Sequence, residues 1–528
     1  MNYLFLGDCL NILRENISDN SVDLVYIDPP FNSKRDYNIF FDSNEIQTQR
    51  VAFEDTWTLK NIQDSLAELH TLQTDNLYFL LITYQKVAPH AFPYLVMMAL
   101  RIVEIHRVLK DTGSFYLHCD PTMSHYLKTV CDIIFSAKGF INEIIWKRSY
   151  GHGDSRRSLG RSHDAILFYT KSEKFILNRF FHEHEEKYIN SFFKHKDERG
   201  TYKLENLTSP NPRPNLIYEY KGYPSPEKGW RVKLERMKEL DEQGRLYFPK
   251  KKDGRIMKKV YLDELEGQPM TDLWTDIKLL SANDIERLGY PTQKPKALLE
   301  RIIKASSNEG DVVLDAFGGC GTTVDAAESL RRNWIVIDIS PIAISLIKRR
   351  LKDTYGTSLS RFEVRGIPTD EQSAIKLWNE NPFAFQDWWL TELEVFSTTI
   401  GKKGADKGID GIGQYLIDNE GNTIRAAFQV KGGDKVKSAD IDALLGILEK
   451  HKCELGVFLS RSEPTRNMLE TVSGAGFIEF NGVKYPRLQV LTLKEYFSGK
   501  KLKLPQTNIT FKPAQFKGKK LLQTTLDF

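Results

Sequence analysis

The chain is predicted to fold as α/β, with a doubly wound, mostly parallel sheet that carries a long inserted segment and is followed by a smaller α/β domain. Three observations predict this. Short apolar runs such as Val22–Ile27, Ser114–His118, His163–Thr170 and Asn333–Asp338 read as buried strands. Longer apolar-striped stretches, Tyr94–Lys110 and Thr322–Arg332, alternate with them as helices, the first stopped at Asp111-Thr112-Gly113. Beyond about residue 365 the composition shifts, and a second series of strand, helix and strand begins.

At 528 residues the chain is too long for one typical core, so two or three domains are expected. A hydrophobic content of 41% is that of a globular protein. The formal charge of +4 is too mild to mark a polyanion binder, so nucleic-acid contact would have to come from local basic patches. Five cysteines at irregular spacing form neither a disulfide framework nor a zinc pattern, which fits a reducing interior. No run of eighteen apolar residues occurs and the first residues carry no cationic flank, so the expectation is a cytoplasmic chain without a membrane partner.

The first strand of note, Val22–Ile27, ends in Asp28-Pro29-Pro30-Phe31. A carboxylate at a strand tip can accept an N–H bond, two prolines stiffen the turn, and an aromatic ring can stack on a flat base. The same four residues also make an ordinary turn. A second segment weighs against that reading. Asp311–Asp315 is an apolar strand, Phe317-Gly318-Gly319-Cys320-Gly321 a glycine-rich turn, and Thr322 a helix start. Asp338 ends the next strand, where an acid would hold ribose hydroxyls in a nucleotide-type site. The turn lacks the phosphate-gripping Gly-Lys-Ser/Thr pattern; dinucleotide binding is the competing reading.

Together the two segments resemble the amino-methyltransferases of DNA, the N6-adenine and N4-cytosine family. Its strand-end motif is Asp/Asn/Ser-Pro-Pro-aromatic and its cofactor loop Phe-x-Gly-x-Gly, both present in full here. With the catalytic motif first, the order resembles the circularly permuted beta group. Gly7-Asp8-Cys9 and Pro291-Thr292-Gln293-Lys294-Pro295 stand where that group has lesser motifs. The resemblance covers residues 1–365 and implies a Rossmann-like domain binding S-adenosylmethionine through Asp8, Lys294, Asp315, Phe317, Gly319, Gly321, Thr322 and Asp338. It also implies double-stranded DNA as substrate, with the target base flipped out of the helix. Phe31 would stack on that base, while Asp28 and the Pro29 carbonyl accept its amino hydrogens. Aspartate at the first motif position favours adenine N6; N4-cytosine is the alternative. The inserted region 174–269, with its aromatic and basic pieces, stands where the family carries target recognition, and the glycine- and arginine-rich stretch 148–157 is either a solvated loop or a phosphate grip. The histidines, including His118 and His163, have no cysteine partners at ligand spacing and are expected to be structural or exposed.

Residues 366–380 are expected as a linker and 381–497 as a second domain. There Asp410 is followed by a hairpin-like stretch and then by Gln429-Val430-Lys431, with a helix Ser438–His451 and a strand Leu455–Ser460 beyond. This resembles the Mrr-like branch of the PD-(D/E)xK nucleases. The resemblance implies that Asp410 binds Mg²⁺, Gln429 supports the site, and Lys431 orients or activates the attacking water. Where the branch has Phe-Glu in its first helix this chain has Phe385-Gln386, with Asp387 or Glu394 as candidates to compensate. Two readings of the whole follow. In one, a single chain modifies and restricts DNA; in the other, a methyltransferase carries a non-cutting DNA-binding module and works alone or with a separate restriction subunit. An RNA amino-methyltransferase is a third reading. The lysine-rich tail 498–528 ends in Gln523-x-x-Leu526-x-Phe528, which resembles a sliding-clamp docking peptide.

Overall fold

The computed structural model describes residues 1–30, 36–43, 46–54, 63–71, 75–148, 159–182, 186–251, 254–265, 267–281, 284–288, 290, 292–393, 395–397, 409–417, 422–480 and 482–507. Two compact units emerge: Met1–Asn178 with Asp272–Phe528, and Arg179–Thr271.

In the first unit a nine-stranded sheet is built from β1 (Asn2–Leu6), β2 (Val22–Ile27), β3 (Leu109–Cys119), β4 (Phe140–Lys147), β5 (His163–Thr170), β6 (Leu273–Trp274), β7 (Val312–Asp315), β8 (Asn333–Asp338) and β9 (Phe362–Arg365). Their order across the sheet is β6-β4-β5-β3-β2-β7-β8-β1-β9. Pairing is parallel except around β5, which runs antiparallel to β3 and β4. All six residues of β2 are buried, as expected of a central strand covered on both faces. The helices α1 (Cys9–Asn16), α2 (Phe92–Val108), α3 (Ser124–Ile134), α4 (Lys296–Ser306), α5 (Thr322–Ser329) and α6 (Pro341–Tyr355) accompany the strands. One core joins Leu13 of α1, Val25 of β2, Leu95 and Ile102 of α2, and Leu314 of β7.

Two element ends differ from expectation. Helix α2 gives way to β3 at Leu109, where backbone pairing to Val22 begins, so the expected stop at Asp111-Thr112-Gly113 lies inside the strand. Helix α5 ends at Ser329 rather than Arg332, because Arg331 has a left-handed φ of 58° that breaks the helical repeat.

The segment 366–380, expected as a linker, holds the helix α7 (Glu371–Glu380). A capping box starts it, with Asp370 Oδ1 accepting from the Ser373 amide at 2.7 Å, and Ala374, Leu377 and Trp378 join the C-terminal core. There follow α8 (Pro382–Glu392), β10 (Phe396–Ser397), β11 (Gly411–Leu416), β12 (Thr423–Lys431), α9 (Ser438–His451), β13 (Leu455–Ser460), β14 (Leu488–Thr492) and β15 (Gln506–Thr507). The second sheet runs β10-β11-β12-β13-β14, with β15 on β11 and with parallel pairing from β12 to β14. Helix α8 packs on α6 of the first sheet's layer around a small cavity lined by Leu6, Ile344, Ile367, Trp388 and Thr391.

The second unit begins a few residues later than the expected 174. It holds a four-stranded antiparallel sheet of His195–Lys196, Thr201–Asn206, Leu246–Tyr247 and Met257–Tyr261. Its own core includes Leu207, Trp230, Met237, Leu240 and Ile256.

Candidate functional site

Parallel pairing brings the C-terminal ends of β2, β7, β8 and β1 side by side on one edge of the sheet. Those ends carry Asp28, Asp315, Asp338 and Gly7-Asp8. An open α/β sheet gathers ligands at this edge.

After β7 the chain turns through the glycine segment. Gly319 and Gly321 have φ of 50° and 75°, conformations that favour glycine. A Cβ on Gly321 would stand 2.7 Å from Ile347 Cγ1, and one on Gly318 would run into Val336. Two buried acids tie the turn down. Asp315 accepts from the Phe317 amide at 2.9 Å and the Thr323 hydroxyl at 2.6 Å, while Asp338 accepts from the Gly319 amide at 2.7 Å and the Ser340 amide at 2.8 Å. Burial pushes Asp315 up to about 7 and Asp338 up to about 6, and the neighbouring carboxylate of Asp28 adds to the first. Tyr290, buried, lies against Gly319, and burial followed by the charge of Asp338 pushes its phenol well above its usual range.

Asp28 stands next to this cradle. Its Oδ2 accepts a hydrogen bond from Lys294 Nζ, and its Oδ1 is buried without a hydrogen-bond partner among the described residues. Lys294 was expected among the cofactor-binding residues; the structure puts its ammonium on the Asp28 carboxylate. Pro29 and Pro30 follow Asp28 in the described chain, whereas Phe31 lies outside the described residues. So do Pro291, Glu394, the stretch 149–157 and the tail residues Gln523, Leu526 and Phe528.

Asp8 has a structural task at the same edge. It caps α1 through the Leu10 amide at 2.9 Å and pairs with Arg101 at 2.5 Å, while the Gly7 amide bonds the Asp338 carbonyl at 2.9 Å. Sequence reasoning missed a buried polar chain beneath Asp28, in which Tyr26 Oη meets His118 Nδ1 at 3.0 Å and His118 Nε2 meets Asp164 Oδ2 at 3.2 Å. Arg148 stands 3.4 Å from Asp164 Oδ1. Burial raises Asp164, yet His118, Lys294 and Arg148 together hold it below the usual carboxylate range. The signal was there to read: His118 directly follows the apolar run Phe115–Leu117 and Asp164 directly precedes the apolar run Ala165–Tyr169, so each is a polar residue at a buried strand position.

In the second sheet Asp410 precedes β11 and pairs by backbone with Phe428, its Oδ2 accepting the Val430 amide at 2.7 Å. The register Gly411↔Phe428 sets Asp410 opposite Gln429. Gln429 Oε1 is buried with no partner among the described residues. Lys431 shares the strand face of Gln429, and its ammonium lies 3.6 Å from Asp440 of α9. Among the described residues no group of three or more His, Cys, Asp or Glu could hold a metal ion. Mg²⁺ is commonly held by one or two carboxylates and completed by water and substrate phosphate, a mode that Asp410 and the unpartnered Gln429 oxygen fit.

A glycine cradle thus lies beside an acid-tipped strand on the carboxyl edge of a doubly wound sheet, the edge at which open α/β folds bind their ligands. The family model described as DNA methylase, covering N6 and N4 methyltransferases, matches residues 22–349, and the chain belongs to that family. A second model, described as restriction endonuclease and of the Mrr type, matches residues 388–482. Type II methyltransferase M.EcaI of Enterobacter cloacae is 32% identical over 277 residues, 51% of this chain and 61% of that protein. The Mod subunit of the type III restriction-modification enzyme StyLTI of Salmonella typhimurium is 28% identical over 345 residues, 62% of this chain and 50% of that protein. The chain thus spans 61% and 50% of the lengths of these two relatives. Among solved structures, the PvuII cytosine-N4-specific DNA methyltransferase aligns over 69% of this chain and 95% of its own, at 16% identity and a TM-score of 0.31. No helix among the described residues is long and apolar enough to cross a membrane.

Proposed function

We infer that the chain transfers a methyl group from S-adenosylmethionine to the N6 amino group of a flipped adenine in double-stranded DNA. The observation that carries this is Asp28 Oδ1, a buried acceptor without a partner among the described residues, one strand away from the glycine cradle. Bound S-adenosylmethionine supplies an electrophilic methyl group, activated by the sulfonium charge. The cradle of Gly319 and Gly321 gives a ligand close access to the backbone, and Asp338 and Asp315 offer buried carboxyl groups to hydroxyls and positive charge. Thr322 and Phe317 flank the cradle, and Asp8 stands at the next strand end.

Stacking in the duplex hides the amino nitrogen, so the base must leave the helix to reach Asp28. Asp28 Oδ1 and the Pro29 carbonyl accept the two amino hydrogens and turn the nitrogen lone pair toward the methyl group, with Phe31 stacking on the ring. Asp28 orients the amino group rather than deprotonating it before transfer; the extra proton of the methylated nitrogen leaves afterwards along the hydrogen bond to Asp28 and on to water. Aspartate at this motif position is the feature that favours adenine over cytosine. The unit Arg179–Thr271 is assigned to target recognition by its place in the chain, and the domain bounds 1–365 and 381–497 by the two resemblances.

The C-terminal module is assigned Mg²⁺-dependent DNA cleavage, on the strength of the strand register that sets Asp410 opposite Gln429, whose Oε1 is buried without a hydrogen-bond partner among the described residues. Asp410 and Gln429 would hold the ion and Lys431 would steer the attacking water. The test is to incubate purified full-length chain with unmethylated plasmid and Mg²⁺, with and without S-adenosylmethionine, followed by gel analysis and mass spectrometry of the digested nucleosides. N6-methyladenine together with cut plasmid is the expected result. N4-methylcytosine overturns the base assignment. Intact plasmid reassigns the module to DNA binding or to service of a separate restriction subunit.

A further inference from the structure

Lys294 is more deeply placed and more firmly fixed than a flexible cofactor contact needs to be. The segment that carries it is braced on both sides. Gln293 accepts from the Leu288 amide at 2.8 Å and donates to the Glu286 carbonyl at 2.6 Å, and the Lys296 amide bonds Glu286 at 3.2 Å. Lys296 Nζ then reaches Asp325 of α5 at 2.7 Å. Between these braces Thr292 holds a left-handed φ of 61°, unfavourable for a β-branched residue, and its carbonyl accepts from Lys294 Nζ at 3.4 Å. The fold therefore bears local strain to aim one ammonium. The Lys294 side chain is 7% exposed and its ammonium lands on Asp28, 266 residues away in sequence.

The target of the ammonium matters. Asp28 has two oxygens, and Lys294 occupies Oδ2 while Oδ1 stays without a partner among the described residues. A carboxylate held through one oxygen by a buried ammonium favours one orientation, so the oxygen that meets the base is set before the base arrives. Asp28 also lies close enough to Asp315 to raise its pKa, so three acids crowd neighbouring strand tips. A fixed ammonium at the outermost of them offsets that repulsion.

We propose that Lys294 is a positioning residue for methyl transfer, holding Asp28 through Oδ2 so that Oδ1 receives the target amino group. This rests on the reading of Asp28 as the amino acceptor. It replaces the cofactor role that the sequence motif suggested for Lys294.

The experiment uses the full-length chain, unmethylated plasmid and saturating S-adenosylmethionine, with single-turnover methylation and cofactor binding measured separately. Lys294→Met, nearly isosteric, lowers the methylation rate constant about 10- to 100-fold and changes the cofactor Kd by less than about threefold. Lys294→Gln, which keeps an N–H donor for Oδ2, falls between wild type and Lys294→Met. In an Asp28→Asn background, Lys294→Met adds less than about a threefold further loss, because the two residues act as one unit. Weakened cofactor binding with an unchanged rate at saturation overturns the proposal, as does full multiplicative loss in the double variant. Asp28→Asn at the wild-type rate overturns the underlying reading of Asp28 instead, so the two failures are told apart.

Discussion

The hydroxyl of Thr323 donates to Asp315 Oδ2 at 2.6 Å, closing the turn between β7 and α5 with a side-chain clip. Its partner oxygen takes the Phe317 amide, so the carboxyl group sits inside its own loop. Burial lifts Asp315 to about 7 and Asp338 to about 6, above the ordinary carboxylate value of 3.8. Between pH 4 and 7 the folded state therefore holds protons that the unfolded chain has lost. The stability tied to these groups is complete below pH 4 and drains away as pH rises through 6 and 7. Urea denaturation of the cofactor-free chain is expected to show this decline from pH 5 to 7.5, and Asp315→Asn is expected to flatten it. An equal slope in the variant refutes the assignment.

Replacing Gly321 by alanine asks a residue with a Cβ to hold a φ of 75° and sets that atom 2.7 Å from Ile347. The expected cost is about 1–3 kcal/mol of stability, together with weaker cofactor binding. Calorimetric titration alongside chemical denaturation reads both quantities. Unchanged cofactor affinity would detach the cradle from its assigned ligand.

Asp28→Ala is expected to reduce methyl transfer by at least about 100-fold. It also strands the ammonium of Lys294, a side chain that is 7% exposed, so stability should fall by about 3 kcal/mol without loss of the fold. Asp28→Asn, which keeps an oxygen for Lys294, should recover most of the stability but not the activity. Wild-type methylation in Asp28→Ala would end the proposed mechanism.

In the second module, Lys431→Ala is expected to abolish Mg²⁺-dependent nicking while leaving methylation untouched, since Lys431 stands on β12 two residues from Gln429 and its ammonium lies beside Asp440 of the same module. Plasmid cleavage and nucleoside analysis on the same preparation separate the two activities. Cleavage that survives in Lys431→Ala and disappears without Mg²⁺ assigns water activation to another group.

Much of the sheet was legible because its central strands are continuous apolar runs with both faces covered, as in β2, and because the glycine turn after β7 needs a residue type that few others can replace. The approach of Lys294 to Asp28 was not legible. Nothing local signals a contact between residues separated by 266 positions, and it emerges only when α4 packs beside β2. Asp8 was read as a cofactor contact, and its link to Arg101 on α2 depends likewise on helix packing. The helix α7 was read as a linker because the composition shifts there, although Asp370 and Ser373 carry a capping signature. Element ends were misplaced at Leu109 and Arg331, where a strand pairing and a left-handed residue override local pattern.

The packing of α8 on α6 changes what can be taken apart. Gly366, with a φ of 79°, crosses the Leu6 backbone so closely that a Cβ would collide with it, and Trp388 and Ile344 line one common cavity. A chain cut after residue 365 would bare the flank of α6, and a foreign module grafted there would have to bring its own matching helix. Recombination between relatives is thus expected to move these two modules as a single heritable block, with the seam falling elsewhere in the polypeptide.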